Sequence, residues 1–394
     1  MGNDRSQSSK HGSSLCHHCQ SLDLATISQL KLAHENLSDT IRDRKRKHTW
    51  KIEWQDSEEA DLQCTLCRIL RMYGNRLGAH SARTFFKCER VENPVLFEVY
   101  YHTTTLLLPH LKDKQTKDSN YGIYGRVIDP GRVNYNLILR WMKSCNDNHS
   151  AACLSQFGTP MPAFKVIDST TRRIVTAPEG CKYLALSYLW GHQSTTKEQQ
   201  HFSQGKLDDH VPRVVKDAIE VAHELEIGYV WVDKYCLDQS DKPEKQKLIR
   251  QMDQIYHDAT ITIIAAAGND AEYGLPGVSN VSRNEQMSID IGNRKYLVFP
   301  DSTREVRQSI WATRAWTYQE ALLSRRRLVF TREQVYFQCM KMHCWEGLRA
   351  PSTALRRMRY YQCFPEDGIG KYLFFFPQKY KIIRTHNSSW ITLK

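Results

Sequence analysis

Short, unbroken apolar runs and helical stripes alternate through the second half of the chain. Residues 183–189 form an apolar run closed by Trp190 and Gly191, residues 229–232 form a second ending on Asp233, and residues 260–267 form a third. Runs of this length without polar alternation predict strands buried on both faces, as in a parallel sheet covered by helices. Between them Val214, Val215, Ala218, Ile219, Ala222 and Leu225 keep a helical period, with Pro212 in the first turn and Gly228 just past the end. Leu248, Ile249, Met252, Ile255 and Tyr256 form a second stripe, opened by Asp241 and Pro243. Thr313 is placed to cap a helix running to about residue 323, and residues 327–330 and 334–338 read as two further strands. Residues 164–168 and 173–176 read as a hairpin ahead of this pattern. The alternation predicts an α/β fold over residues 161–345, with a mainly parallel sheet flanked by helices.

The first half reads differently. Residues 1–14 are polar without apolar recurrence and are expected to be disordered. Residues 15–160 read as a helical and irregular region containing most of the notable cysteines. Its clearest helices are 57–73, carrying Leu62, Leu66, Ile69, Leu70 and Tyr73, and 135–145, carrying Leu137, Ile138, Trp141 and Met142. Residues 95–108 are β-branched and aromatic and predict a strand. Residues 346–394 show no clear periodicity and read as a C-terminal tail.

Composition narrows the function classes. With 394 residues, 41% of them hydrophobic and 25% charged, the chain has material for two or three cores, which excludes global disorder. No apolar run approaches the roughly 18–20 residues of a membrane span, and the start lacks the apolar region of a signal peptide. A cytoplasmic protein with no transmembrane segment is expected. The net charge of +12 is carried by the two ends, while residues 151–339 balance. A nucleic-acid partner is therefore disfavoured, because the centre holds no surplus of cations for a phosphate-binding face. The basic run at residues 42–47 reads as a solvated surface segment.

Twelve cysteines are too few for a disulfide scaffold of this length, and thiols in a reducing compartment are expected. Their spacing is suggestive: Cys16-x2-Cys19, Cys64-x2-Cys67 and Cys145-x3-His149-x3-Cys153. Thiolate and imidazole are the usual ligands of structural zinc, and four of these seven residues at most would share one ion. Alternatively they are small buried hydrophobes, as the position of Cys64 and Cys67 on an apolar helix stripe allows. Spacing does not choose between these readings.

Three islands carry the remaining chemistry. They are Leu186-Ser187-Tyr188-Leu189-Trp190-Gly191, then Tyr229-Val230-Trp231-Val232-Asp233 with Cys236, Asp238 and Gln239, then Arg314-Ala315-Trp316-Thr317-Tyr318-Gln319-Glu320 with Leu323 and Ser324. Together, over about residues 180–340 and in this order, they resemble the fungal heterokaryon-incompatibility (HET) domain. The cysteine motifs resemble what often precedes that domain. The resemblance implies a role in fungal non-self recognition and in the regulated cell death that follows fusion of unlike hyphae. Other incompatibility proteins, or further copies of the chain, would be its partners. It also implies a distant relation to TIR domains, and so a TIR/flavodoxin-like sheet and, in some members, hydrolysis of NAD.

In an open α/β sheet, ligands bind beyond the carboxyl ends of the strands, where Asp233 and the Trp190-Gly191 pair are expected. Trp316 and Glu320 stand at i and i+4, on one face of a helix. The TIR resemblance implies that Glu320 is the catalytic carboxylate, with Asp233 as second candidate. Tyr188, Trp190, Gly191, Arg314 and Trp316 would then surround NAD. Blander readings remain open: Glu320 paired with Arg314 or Arg325, Asp233 as a turn residue, the tryptophans as core, and a scaffold that acts only through protein–protein contacts. Ser187 lacks the G-x-S-x-G elbow of an esterase nucleophile, and no phosphate-binding glycine loop is present.

Overall fold

The computed structural model describes residues 15–20, 50–55, 64–74, 83–89, 96–101, 103–110, 123–154, 164–190, 205–208, 210–237, 251–291, 294–314, 320–350, 381–384 and 390–393. The expected disorder of 1–14, the basic run at 42–47, the first turns of the 241–256 stripe and most of the 346–394 tail lie outside them.

The elements run in order α1 (His17–Gln20), β1 (Trp50–Gln55), α2 (Thr65–Gly74), β2 (Arg83–Glu89), β3 (Leu96–Tyr101), β4 (Thr103–Pro109) and β5 (Tyr124–Gly125). Then come α3 (Tyr135–Cys153), β6 (Lys165–Asp168), β7 (Ile174–Thr176), β8 (Tyr183–Ser187), α4 (Arg213–Glu224), β9 (Tyr229–Trp231), α5 (Asp233–Cys236), α6 (Met252–Asp258) and β10 (Ile261–Ala265). The chain continues with β11 (Ser288–Ile291), β12 (Arg294–Phe299), α7 (Ser302–Gln308), a 3-10 turn at Trp311–Thr313, β13 (Arg326–Phe330), β14 (Val335–Cys339), β15 (His343–Trp345), β16 (Leu348–Arg349), β17 (Lys381–Arg384) and β18 (Trp390–Leu393). Two compact units result. The first is drawn from Met1–Val127, Gln286–Pro300 and Gly347–Ala354, and the second from Ile128–Glu285, Asp301–Glu346 and Leu355–Lys394.

The first unit holds a six-stranded antiparallel sheet in the order β1-β2-β3-β4-β12-β11. This corrects the helical and irregular reading of residues 15–160. The signal was there in β1, where Trp50, Ile52 and Trp54 alternate with Lys51, Glu53 and Gln55. Residues 95–108, read as one strand, supply two. The sheet is completed by β11 and β12, which come from far along the chain and which no local pattern could assign to it.

The second unit, which takes in α3 and leaves out β11 and β12, holds a mainly parallel α/β sheet. Its sheet runs β15-β14-β13-β10-β8-β9-β6-β7. The four central strands β13, β10, β8 and β9 are parallel, and the hairpins β6–β7 and β14–β15 add antiparallel margins. Every residue of β8, β10 and β13 is buried, Arg326 and Arg327 of β13 included, and this is why β8 and β10 read as apolar without alternation. Numbered by first appearance, the parallel strands lie in the order 2-1-3-4, so the chain reverses its direction of travel between β8 and β10. In such sheets that reversal opens a crevice at the strands' carboxyl ends.

Polar anchors fix the surroundings of this sheet. Asn134 caps α3 through Leu137 N–H at 3.0 Å, and its own N–H donates to Glu346 at 3.1 Å. Glu346 is buried against the guanidinium of Arg283, which also donates to the carbonyls of Asp129 and Arg132. On α4, Asp217 accepts from Leu275 N–H at 2.8 Å and from the Ser279 hydroxyl at 2.9 Å, pinning the loop after β10. Gly274 is required there: its φ is +79°, and a Cβ would lie 2.5 Å from the Asp217 carboxylate. Among the described residues no helix is long and apolar enough to cross a membrane.

Candidate functional site at the carboxyl ends of the parallel strands

Ser187 is the last residue of β8, Asp233 opens α5 two residues beyond β9, and Glu320 begins the described part of the helical turn that leads into β13. All three belong to the second unit. The indole N–H of Trp311 donates to Ser187 Oγ at 2.9 Å, and Ser187 Oγ donates to Glu320 Oε2 at 2.5 Å. The Tyr256 hydroxyl also bonds to the Glu320 carboxylate. Glu320 is buried, at 7% exposure. Burial and the negative charge of Asp233 push its carboxyl up to about 7, against the Ser187 and Tyr256 hydroxyls and the charge of Arg314.

Asp233 is set up differently. Its Oδ1 accepts from Lys234 N–H at 2.7 Å, and the indole N–H of Trp190 lies 3.1 Å from each carboxylate oxygen. Burial pushes Asp233 up to about 6, while these donors and the charges of Arg314 and Lys234 pull it down. Its side chain keeps partial access to solvent, which tempers the effect of burial. Arg314 donates to the Tyr188 carbonyl at 3.1 Å. Two carboxyls titrating near neutrality, with a guanidinium and an indole beside them, can exchange protons and stabilise positive charge.

Of the residues read from sequence, Tyr188, Trp190, Asp233, Arg314 and Glu320 meet at these strand ends, whereas Gly191 and Trp316 lie outside the described residues. Trp190 is 40% exposed and Trp231 is wholly buried, edge-on to Tyr256 at 5.5 Å, so the first faces solvent and the second is core. Arg325, one alternative partner for Glu320, instead donates to His257 Nε2 at 2.9 Å and to the Leu154 carbonyl. Ser187, Tyr256 and Trp311 were not read as members of the site. A serine closing a fully buried strand was the available signal for Ser187, since a buried hydroxyl needs a partner. Tyr256 was hidden by its place in an apolar stripe, and Trp311 carried no local motif.

The seven metal-ligand candidates divide between the units. Cys16, Cys19, Cys64 and Cys67 gather in the first, with Sγ separations of 3.6 Å between Cys16 and Cys67 and 3.4 Å between Cys19 and Cys67. Cys145, His149 and Cys153 gather in the second together with Cys339, which spacing had not suggested. In each group the ligand atoms lie within 4.8 Å of one another. One expected site of at most four ligands is thus two groups of four. Burial raises the Cys16 thiol, but the Cys19 N–H and the neighbouring thiols outweigh it and bring it to about 7, while burial pushes Cys67 up to about 12. Hydrogen bonds from Cys145 and Cys339 drive Cys153 down to about 2, and the same contacts push Cys339 far up. Both donor sets, soft and nearly closed, are of the kind that holds a metal such as zinc.

Among curated proteins and among solved structures, nothing matches the chain. Residues 183–320 match the family model described as Heterokaryon incompatibility protein (HET). The match begins at the first residue of β8 and ends on Glu320, enclosing the strand ends just described. Residues 183–320 are therefore a domain of the heterokaryon-incompatibility family.

Proposed function

We propose that this chain is an incompatibility effector whose HET domain promotes cell death by hydrolysing the nicotinamide–ribose bond of NAD, in the manner of TIR enzymes. The family of the domain supports the role in heterokaryon incompatibility. The 2-1-3-4 order of the parallel strands supports the TIR/flavodoxin-like reading of the fold. The observation that carries the chemistry is Glu320: a buried carboxyl raised to about 7, beside Asp233 and at the strand ends. In its ionised form it stabilises the ribosyl cation that forms as the C1′–N bond breaks and nicotinamide leaves with the electron pair. Water then adds to C1′, and its proton passes to a carboxylate. Trp190 supplies an exposed ring against which a nicotinamide or adenine stacks. In the first unit, zinc on Cys16, Cys19, Cys64 and Cys67 acts as a structural staple.

A second reading has its own support. Glu320 already accepts from Ser187 and Tyr256, so it also serves as the polar hub of a scaffold that acts by assembly with partners. Expression in a fungal host separates the two. The enzyme reading expects growth arrest with falling cellular NAD, and loss of both effects in Glu320→Gln. Growth arrest with NAD untouched leaves the scaffold.

A further inference from the structure

We propose that Cys145, His149, Cys153 and Cys339 bind one Zn2+ as a closed Cys3His site, separate from the four-cysteine group, that fastens α3 to β14. The two attachment points flank the HET segment, one on each side of residues 183–320.

Tetrahedral geometry makes the first argument. With Zn–S near 2.3 Å and Zn–N near 2.0–2.1 Å, a sulfur and a nitrogen on one zinc stand about 3.6 Å apart. Cys339 Sγ and His149 Nδ1 are 3.6 Å apart, across 190 residues of sequence. The other ligand atoms fall within the same 4.8 Å cluster. A disulfide would join only two of the three sulfurs, at about 2.05 Å, and would leave the imidazole without a purpose.

The helix supplies the second argument. Cys145 and Cys153 are eight residues apart, and a straight helix rising 1.5 Å per residue would separate their Cα atoms by about 12 Å, too far to share an ion. The helix is broken at His149, whose φ of −130° and ψ of 19° are not helical. The break sits at the central ligand and brings the last turn back toward the first. Buried thiols serving only as small hydrophobes would need neither the break nor the histidine.

Charge supplies the third argument. Three thiolates and a neutral imidazole leave Zn2+ with a net charge of −1. Arg326, 3% exposed on β13, donates to Asn146 at 2.6 Å, beside Cys145, and so sets a buried cation next to the cluster. Binding holds all three sulfurs as thiolates, any thiol proton passing to solvent, and changes no oxidation state.

Zinc content and zinc-edge X-ray absorption of the purified full chain test the site. The proposal expects two zinc ions per chain with a nitrogen ligand in the average shell. In Cys16→Ser/Cys64→Ser it expects one ion with three sulfurs and one nitrogen. Cys339→Ser should drop the full chain from two ions to one, and His149→Cys should keep both ions while removing the nitrogen. Should the serine variants fail to fold, the wild-type spectrum decides alone, because of the two clusters among the described residues this one alone includes a histidine. Bound zinc with sulfur ligands only, a chain free of zinc, or a disulfide among Cys145, Cys153 and Cys339 by mass spectrometry would overturn the proposal.

Discussion

Ser187 and Glu320, 133 residues apart in sequence, share a buried hydrogen bond of 2.5 Å, and Trp311 donates to the same serine oxygen. An indole N–H can only donate and an ionised carboxylate can only accept, so with Glu320 charged Ser187 Oγ accepts from Trp311 and donates to the carboxylate. The end of β8, the 3-10 turn and the helix entering β13 are thereby held by one relay.

Ser187→Ala removes the relay and leaves the Trp311 N–H and a carboxylate oxygen buried without this partner. Losing these two buried hydrogen bonds costs about 1–3 kcal/mol together, so chemical denaturation should show a loss in that range. A loss below about 0.5 kcal/mol would mean that the relay contributes nothing to the fold.

The pH dependence follows from Glu320. Its folded value, about 7, lies above the ordinary glutamate value of 4.5, so the folded state binds the extra proton. That stability is fully present below the unfolded value and is lost as pH rises through 7. One pKa unit corresponds to about 1.4 kcal/mol, which puts the whole effect at roughly 3 kcal/mol. Thermal unfolding between pH 5 and 8 should show melting temperature falling with pH in the wild type and a flatter profile in Glu320→Gln. Asp233, raised to about 6, adds to the slope in the same direction.

The tryptophans separate by burial. Trp231→Ala should cost roughly 3–5 kcal/mol, because it empties a fully packed position against Tyr256. Trp190→Ala, at a side chain 40% exposed, should cost under about 1 kcal/mol while removing the donor to Asp233. Equal losses in denaturation would contradict this division.

How much was legible in the sequence depends on the range of the interaction. The strands at β8, β9 and β10 were readable because burial on both faces writes an apolar run into each of them. Asp233 and Trp190 were readable because their places relative to strand ends are local. The antiparallel sheet was passed over despite the alternation in β1, and its closure by β11 and β12 depends on pairing with strands far off in sequence. Cys339 as a partner of His149, and Trp311 as a partner of Ser187, are contacts made only after folding. No period or spacing encodes them.

In the first unit, Cys67 touches both Cys16 and Cys19. If zinc staples that group, Cys67→Ser should lose one ion per chain, and chelation should make its four thiols reactive toward an alkylating reagent. Thiols that alkylate equally with and without chelator would argue for packing alone.

The central claim is that the Glu320 carboxylate, hydrogen-bonded to Ser187 at the end of β8, cleaves NAD. Incubation of the purified chain with NAD, following released nicotinamide by chromatography, tests it most directly. The account predicts time-dependent nicotinamide and ADP-ribose from the wild type and at least a hundredfold less from Glu320→Gln of equal stability, an electrostatic loss of about 2.7 kcal/mol or more. Equal release by wild type and Glu320→Gln, or none from a folded wild type that still arrests growth, would contradict it.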